Sequence, residues 1–308
     1  MNHLISLHDL SAAEIKSILE LAAELKAQLK EGVPHQLLKG KTLGMIFTKS
    51  STRTRVSFEV GMYQLGGHPL FLSSDDIQLG RGESIYDTAQ VLSRYVDGIM
   101  IRTFAHKDVE GLAQYGSIPI INGLTDLLHP CQILADLLTI YEYKRRLKDL
   151  KLAYIGDGNN IANSLLHGCA KVGMHIAVAS PAGYECDQQI ISESLEAAKI
   201  SGANITLTQD PEEAIIDADV VYTDTWISMG QETEKEKRIK LFMPYQINTK
   251  LFSKAKADAI FLHCLPAYRG FEVTKDIIDG PNSAVFDEAE NRIHVQKAVM
   301  ALLLGNRS

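Results

Sequence analysis

The sequence has few of the features that mark membrane, exported or fibrous proteins. It is 308 residues long, with a single tryptophan and nine prolines. No apolar run reaches the roughly 18 residues that a membrane-spanning helix requires. The N-terminal residues MNHLISLHDLS show no basic region followed by an apolar stretch, which is the pattern of a signal peptide. We therefore expect no membrane span and no export signal.

Cysteine is also scarce, and its spacing excludes two kinds of stabilising site. The four cysteines lie far apart along the chain, with no Cys-x-x-Cys pair: Cys131, Cys169, Cys186 and Cys264. A disulfide framework and a zinc knuckle both need closely spaced pairs. We therefore expect neither a disulfide framework nor a zinc knuckle, and a reducing cytoplasm is the expected location. We also predict no metal and no other cofactor.

An excess of positive charge is missing as well. Lysine and arginine total 31 against 38 acidic residues, a net charge of −7. Nucleic-acid-binding proteins usually carry a basic stripe, so no nucleic-acid partner is expected. The hydrophobic fraction of 45% and charged fraction of 22% are those of a globular protein, and the length suits two domains of roughly 100–200 residues each.

Strand-like and helix-like segments alternate along the chain. A capping box at Ser11–Glu14 opens an amphipathic helix. From residue 41 to about 147, apolar runs of strand length alternate with helical patterns, and a second series of the same kind begins at Leu152. Such alternation indicates parallel strands joined by crossover helices, hence open α/β sheets. We place a domain junction near residues 140–150 and a final helix at about 292–304.

The strongest chemical motif is Ser51-Thr52-Arg53-Thr54-Arg55, which follows a predicted strand and opens a predicted helix. A helix start offers backbone N–H groups and the positive end of a dipole. Hydroxyl and guanidinium groups add the donors that a phosphate dianion prefers. The alternative is an ordinary helix cap with solvated arginines. The density of donors at one strand-to-helix turn favours a phosphate site.

Two further residues of the first half stand at ends of predicted elements. His129 precedes Pro130, and proline is well tolerated in the first turn of a helix. His129 could therefore donate toward an oxygen at the helix entrance, or serve as a cap or core residue. Arg102 directly follows the apolar run at residues 98–101, and taken alone it indicates no function.

The second half has its own polar turns. The segment at residues 155–160, Ile-Gly-Asp-Gly-Asn-Asn, lacks the GxGxxG pattern of a dinucleotide loop. Asp224 follows an apolar strand and could hold a substrate ammonium or cap a helix. The charged run QETEKEKRIK at residues 231–240 favours a solvated, mobile segment, and a lid is the sharper hypothesis. Cys264, in His263-Cys-Leu-Pro266, could be a nucleophile, a polar contact or a small buried hydrophobic residue.

Taken in order, six motifs resemble the aspartate/ornithine carbamoyltransferase family over nearly the whole chain: STRTR, HPCQ, GDGNN, DxxxSMG, HCLP and ENR. DTWISMG together with HCLPAYRG resembles the branch that uses ornithine. The resemblance implies transfer of a carbamoyl group from carbamoyl phosphate to the δ-amine of L-ornithine. The short segment after HCLP resembles the biosynthetic members, which implies arginine biosynthesis.

The resemblance also implies the architecture. The expected fold has two open, mostly parallel-sheet α/β domains, with the C-terminal helix crossing back to the first. Residues 1–145, with the helix at 292–308, would bind carbamoyl phosphate, and residues 146–291 would bind ornithine. A homotrimer or a higher homo-oligomer with shared sites is implied too.

Carried over by position, the resemblance implies the site residues. Those for carbamoyl phosphate are Ser51, Thr52, Arg53, Thr54, Gln78, Arg102, His129, Gln132, Cys264, Leu265 and Arg292, and a neighbouring subunit could supply Gln78. Those for ornithine are Asn160, Asp224, Ser228 and Met229. Arg102, His129 and Cys264 would be catalytic, with Cys264 and Leu265 beside the reacting amine and no covalent role for the thiol.

Three alternatives remain at this point. A sister transferase could use putrescine, N-acetylornithine or aspartate as the acceptor. A dinucleotide-dependent dehydrogenase is disfavoured by the missing GxGxxG pattern. A non-catalytic relative that binds metabolites is disfavoured by the intact set of candidate site residues.

Overall fold

The computed structural model describes residues 1–74, 77–78, 82–227 and 232–305. The chain divides into two compact units, one of Met1–Leu138 with the residues from Glu290 onward, and one of Thr139–Ala289. Each unit contains an open parallel β-sheet with helices between its strands. The predicted fold class is therefore confirmed.

The first unit alternates strands and helices from residue 42 onward. Helix α1 begins at the predicted capping box, in which Ser11 and Glu14 cap each other's backbone N–H groups. The elements are α1 (Ala12–Lys30), β1 (Thr42–Phe47), α2 (Thr52–Gln64), β2 (His68–Ser73), α3 (Ile85–Leu92), β3 (Gly98–Arg102), α4 (His106–Tyr115), β4 (Ile120–Leu124) and α5 (Pro130–Lys144). The residues of α5 from Thr139 onward belong to the second unit.

The four strands of this unit lie in the order β2-β1-β3-β4, all parallel. The register places Phe47, the last residue of β1, opposite Arg102, the last residue of β3. The sheet is fixed by a core of aliphatic side chains between the strands and helices α3 and α4: Ile46, Ala89, Val96, Ile99, Ile101, Val109, Leu112 and Ile120.

The second unit repeats this pattern. Its elements are β5 (Lys151–Ile155), α6 (Asn160–Val172), β6 (His175–Ala179), α7 (Gln188–Ser201), β7 (Ile205–Thr208), α8 (Pro211–Ile215), β8 (Val220–Tyr222), α9 (Lys235–Phe242), α10 (Thr249–Phe252), β9 (Ile260–Leu262), α11 (Lys275–Ile278) and α12 (Val285–Leu304). Gly173 ends α6 with a φ of 75°, a left-handed conformation that glycine adopts without steric cost.

The five strands of this unit lie in the order β7-β6-β5-β8-β9 and are parallel. Ala153, Val221 and Phe261, which lie on the adjacent strands β5, β8 and β9, belong to a single buried cluster. Helix α12 begins at Val285, seven residues earlier than the sequence pattern predicts. Its residues from Glu290 onward belong to the first unit. Among the described residues, no helix has the length and apolar character that crossing a membrane requires.

Candidate active site

In each sheet, strand order defines a crevice at the carboxyl ends of the strands. In the first unit the chain runs from β1 outward to β2, then returns to the other side of β1 to form β3 and β4. The order therefore reverses between β1 and β3. Ligands of open α/β sheets bind outside the strand ends at such a switch point. The loop after β1 brings Ser51 and the first turn of α2 to this place, and β3 ends there with Arg102.

The loop after β1 leads into the start of helix α2. Ser51 is the N-cap, and its hydroxyl accepts a hydrogen bond from the backbone N–H of Thr54 at 3.1 Å. Thr54 is fully buried, and its own hydroxyl oxygen lies 2.8 Å from Nη2 of Arg292 and 3.5 Å from Nη1 of Arg102. Two guanidinium groups thus lie at the Thr54 hydroxyl, at the N-terminus of helix α2. One of them belongs to Arg292, which is 238 residues away in sequence.

His129 stands at the entrance of helix α5, where its carbonyl accepts from the backbone N–H of Gln132 at 3.1 Å. Burial lowers the pKa of its imidazole well below the usual value. The positive charges of three guanidinium groups lower that pKa further, those of Arg292, Arg102 and Arg53. The imidazole is therefore neutral at physiological pH, and this corner of the unit is strongly positive, as an anion site requires.

Arg55 does not share this arrangement. Its Nε donates to Glu59 at 2.9 Å, and its guanidinium carbon lies 3.7 Å from the centre of the Phe71 ring. Because these contacts engage the side chain locally along α2 and β2, we leave Arg55 out of the phosphate site. Sequence alone could not distinguish it from Arg53.

The remaining predicted residues of the first unit differ in their surroundings. Gln132 is buried, and its Nε2 donates to Asp136 at 2.8 Å. Thr52 is exposed in the first turn of α2. Gln78 is exposed, and its carbonyl accepts from the backbone N–H of Glu83 at 3.1 Å. A role for Gln78 in binding carbamoyl phosphate stays a prediction.

Lys49 is a residue that the sequence analysis missed. It is 7% exposed, forms an ion pair with Asp126 and lies 4.2 Å from the centre of the Phe104 ring. These three residues belong to the loops after β1, β4 and β3; the first two loops lead to Ser51 and His129, and the third begins directly after Arg102. Through these contacts Lys49 connects the three loops that surround the candidate anion site. Only its proximity to STRTR could have drawn attention to it.

The second unit has a corresponding crevice between β5 and β8. There the chain builds β6 and β7 on one side of β5, then returns to the other side to form β8 and β9. The loops after β5 and β8 carry Asn159 and Asp224. Asn159 caps helix α6 with its Oδ1, and its Nδ2 donates to Oδ2 of Asp224 at 2.7 Å. The predicted Asn160 is half-buried beside it as the first residue of α6.

The loop after β9 brings Cys264 to the same carboxylate. Its Sγ donates to Oδ1 of Asp224 at 3.1 Å, so the thiol is placed as a polar contact. Leu265, which follows, is half-buried and joined to Pro266 by a cis peptide bond. Asp224, His263 and Cys264 offer three possible metal-ligand atoms within 4.8 Å of one another. Each already has a protein partner, His263 facing Glu272 at 3.3 Å.

The charged run at residues 231–240 is only partly as expected. Thr233–Lys237 are exposed, in a short 3-10 helix and the start of α9. The prediction of a solvated segment is wrong for Arg238, which is 3% exposed and forms an ion pair with Asp157. Burial raises the pKa of Asp157 to about 6, although the charge of Arg238 opposes this shift. Ser228 and Met229 lie outside the described residues.

Together, the first unit offers cationic groups around a buried hydroxyl and a neutral imidazole. The second offers a carboxylate supported by an amide and a thiol. The first set suits a phosphorylated ligand, and the second suits an ammonium group. The fold and these two sites define a two-domain α/β protein that handles small charged metabolites.

Comparison with known proteins agrees with this class. The profile of the aspartate/ornithine carbamoyltransferase carbamoyl-P binding domain matches residues 2–142. The profile of the aspartate/ornithine carbamoyltransferase Asp/Orn binding domain matches residues 148–303. The chain belongs to the aspartate/ornithine carbamoyltransferase family.

Individual relatives are similar over their full length. An ornithine carbamoyltransferase from Caldicellulosiruptor saccharolyticus is 61% identical over 98% of each chain. The solved ornithine carbamoyltransferase from Pyrococcus furiosus is 56% identical, with a TM-score of 0.97 over 100% of this chain and 98% of the other. The anabolic enzyme from Campylobacter jejuni is 46% identical, with a TM-score of 0.92 over 98% and 99% of the two chains.

Proposed function

We propose that this chain is a transferase that moves the carbamoyl group of carbamoyl phosphate to the δ-amine of L-ornithine, giving L-citrulline and phosphate in arginine biosynthesis. The observation that carries this is the convergence of Arg102 and Arg292 on the Thr54 hydroxyl beside the neutral imidazole of His129. The full-length relatives named as ornithine carbamoyltransferases, one of them anabolic, support the same activity.

In the proposed mechanism, the first unit holds and polarises carbamoyl phosphate. Ser51, Thr52 and Arg53 at the start of α2 bind the phosphate, with support from the N–H groups and dipole of the helix. Arg102, Thr54 and His129 donate toward the carbamoyl oxygen and stabilise the oxyanion of the tetrahedral intermediate. One such donor is typically worth about 3–4 kcal/mol. Gln132 and Arg292 complete the binding set.

The second unit holds ornithine through Asn160 and Asp224, with Ser228 and Met229 also assigned to this role. An alkylammonium titrates near 10.4, so only a small fraction is neutral at pH 7. In our proposal Asp224 and Cys264 position the δ-amine, which reacts in its neutral form, and neither residue acts as a nucleophile. Its nitrogen lone pair then forms a bond to the carbamoyl carbon, the carbon–oxygen bond to phosphate breaks, and the departing phosphate takes up the proton that the nitrogen loses. That Cys264 and Leu265 also reach carbamoyl phosphate stays a prediction.

The proposed assembly is a homotrimer in the cytoplasm. In support of self-association, α2 exposes Val56, Val60 and Tyr63 at helical spacing, and Tyr63 is 76% exposed. Apolar side chains grouped in this way are typical of interaction surfaces. All four cysteines are free thiols, which suits a reducing compartment. Light scattering coupled to size exclusion would measure the assembly, and a monomer at micromolar concentration would contradict it.

A colorimetric citrulline assay tests the activity. Carbamoyl phosphate is supplied with ornithine, putrescine, N-acetylornithine or aspartate in parallel reactions. We expect turnover with ornithine to exceed that with each other acceptor, because DTWISMG and HCLPAYRG resemble the branch that uses ornithine and the full-length relatives are named as ornithine carbamoyltransferases. Preference for another acceptor would assign the chain to a sister activity, and absence of turnover with all four would refute the proposal.

A further inference from the structure

The charged segment around α9 contains a cation that is buried rather than solvated. Of the basic side chains between Glu232 and Lys240, Lys235, Lys237 and Lys240 are exposed, whereas Arg238 is 3% exposed. Removing a guanidinium from water costs several kcal/mol unless its partners compensate. The groups that compensate this cost therefore indicate the structural role of Arg238.

Arg238 binds two different loops with two edges of its guanidinium. Its Nη2 pairs with the carboxylate of Asp157 in the loop after β5. Its Nε donates to the carbonyl oxygen of Trp226, in the segment after β8, at 2.5 Å. The rings of Tyr184 and Phe242 lie 4.7 Å and 5.1 Å from the guanidinium carbon and enclose it.

The positions of these two partners connect Arg238 to the acceptor site. Asp157 lies two residues before Asn159, and Trp226 lies two residues after Asp224. Asn159 and Asp224 are themselves joined by the hydrogen bond of 2.7 Å across the crevice between β5 and β8. Arg238 therefore links the same two loops a second time. With both links present, the separation of the loops is fixed.

We propose that Arg238 is a positioning residue for the amino-acid acceptor: by joining Asp157 to the backbone of Trp226 it holds Asp224 and Asn159 at the spacing that binds the substrate amine. The inference rests on the proposed function for the identity of the acceptor. Lysine can replace arginine only in part here, because one ammonium lacks the planar fork that reaches a carboxylate and a carbonyl oxygen together. Burial, which raises the pKa of Asp157, is consistent with a tightly enclosed pair.

The kinetic test compares Arg238→Met and Arg238→Lys with Lys237→Met, an exposed neighbour in the same helix. We expect Arg238→Met to raise the KM for ornithine by about tenfold or more, since small displacements of positioning groups have effects of this size. Arg238→Lys should have a smaller effect of the same kind. The KM for carbamoyl phosphate should change by less than about twofold, because its proposed ligands lie in the other unit, apart from the predicted contacts of Cys264 and Leu265.

Chemical rescue adds a readout that a merely structural role would not give. Guanidinium ion added to Arg238→Ala should lower the KM for ornithine again, and an equal concentration of sodium chloride should not. Equal rises in both KM values, or a KM for ornithine that matches Lys237→Met, would overturn the inference. If Arg238→Met does not fold, the same comparison of the two KM values is made with Arg238→Lys, and the same outcomes support or overturn the inference.

Hydrogen exchange of the full chain without substrate separates this inference from the proposed function. Backbone amides at residues 157–163 and 224–227 should exchange faster in Arg238→Met than in Lys237→Met, while the first unit stays unchanged. If the wild type fails to carbamoylate ornithine, the proposed function fails, and this measurement still decides whether Arg238 holds the loops. Unchanged exchange at both loops would refute the positioning role even in an active enzyme.

Discussion

Replacing Thr54 with valine would remove one hydroxyl from the anion site at almost constant volume. The Oγ of Thr54 is buried and lies 2.8 Å from Nη2 of Arg292, with Nη1 of Arg102 at 3.5 Å. A hydrogen bond to a charged group is worth about 1.5–3 kcal/mol. If that energy is needed in the transition state, kcat/KM for carbamoyl phosphate should fall roughly 10- to 150-fold, at about 1.36 kcal/mol per factor of ten.

Thr54→Ser is the matched control, because it keeps the hydroxyl and removes only a methyl group. Initial rates of citrulline formation are measured against carbamoyl phosphate at saturating ornithine, alongside thermal unfolding of each variant. We expect the serine variant to keep most of the activity and the valine variant to lose it while still folding. If valine and serine were equally active, the hydroxyl would not order the two guanidinium groups, and our account of the site would be refuted.

Three further predictions concern pH, covalent chemistry and backbone space. Folding lowers the pKa of His129, so below the usual value of 6.5 the unfolded chain binds more protons than the folded chain. The free energy of unfolding should therefore fall as the pH drops. Urea unfolding at pH 7.5 and 5.5 should show a smaller fall for His129→Gln than for the wild type, and an unchanged fall for the exposed control His68→Gln. Cys264 acts as a hydrogen-bond donor to Asp224, so incubation with carbamoyl phosphate alone should leave it unmodified in intact-mass spectra; a carbamoylated cysteine would contradict this. A Cβ on Gly158 would lie 2.3 Å from the backbone nitrogen of Cys186, so Gly158→Ala should lower the melting temperature and raise the KM for ornithine; a variant as stable and active as the wild type would refute this.

Local features of the chain could be predicted because neighbouring residues determine them. The capping box at Ser11 and Glu14 satisfies backbone N–H donors within one turn of α1, so these residue types at this spacing are enough to predict where the helix begins. The strand-to-helix turns at Ser51 and Asn159 follow from apolar runs that end in capping residues. The candidate ligands can therefore be assigned to the ends of strands without knowledge of which strands pair.

Charged side chains could not be assigned in this way, because their partners are distant in sequence. Arg53 and Arg55 are equivalent in the motif, yet Arg55 contacts Glu59 and Phe71. Arg238 lies among exposed lysines and glutamates, and its burial depends on partners outside its own helix turn, among them Asp157, 81 residues earlier. Periodicity describes which face of a helix is apolar on average and carries no information about such a pair.

The amino-acid sequence by itself determined the fold class, the turns that bear the polar residues and, through its ordered motifs, the family. The tertiary structure alone decided which of these residues meet. The order of strands in each sheet is a non-local property, and it places the loop after β1 beside the loop after β3, and the loop after β5 beside the loop after β8. The contacts of Thr54 with Arg292 and of Asn159 with Asp224 span 238 and 65 residues, and they exist because those strands pair side by side and α12 contributes Arg292 to the first unit.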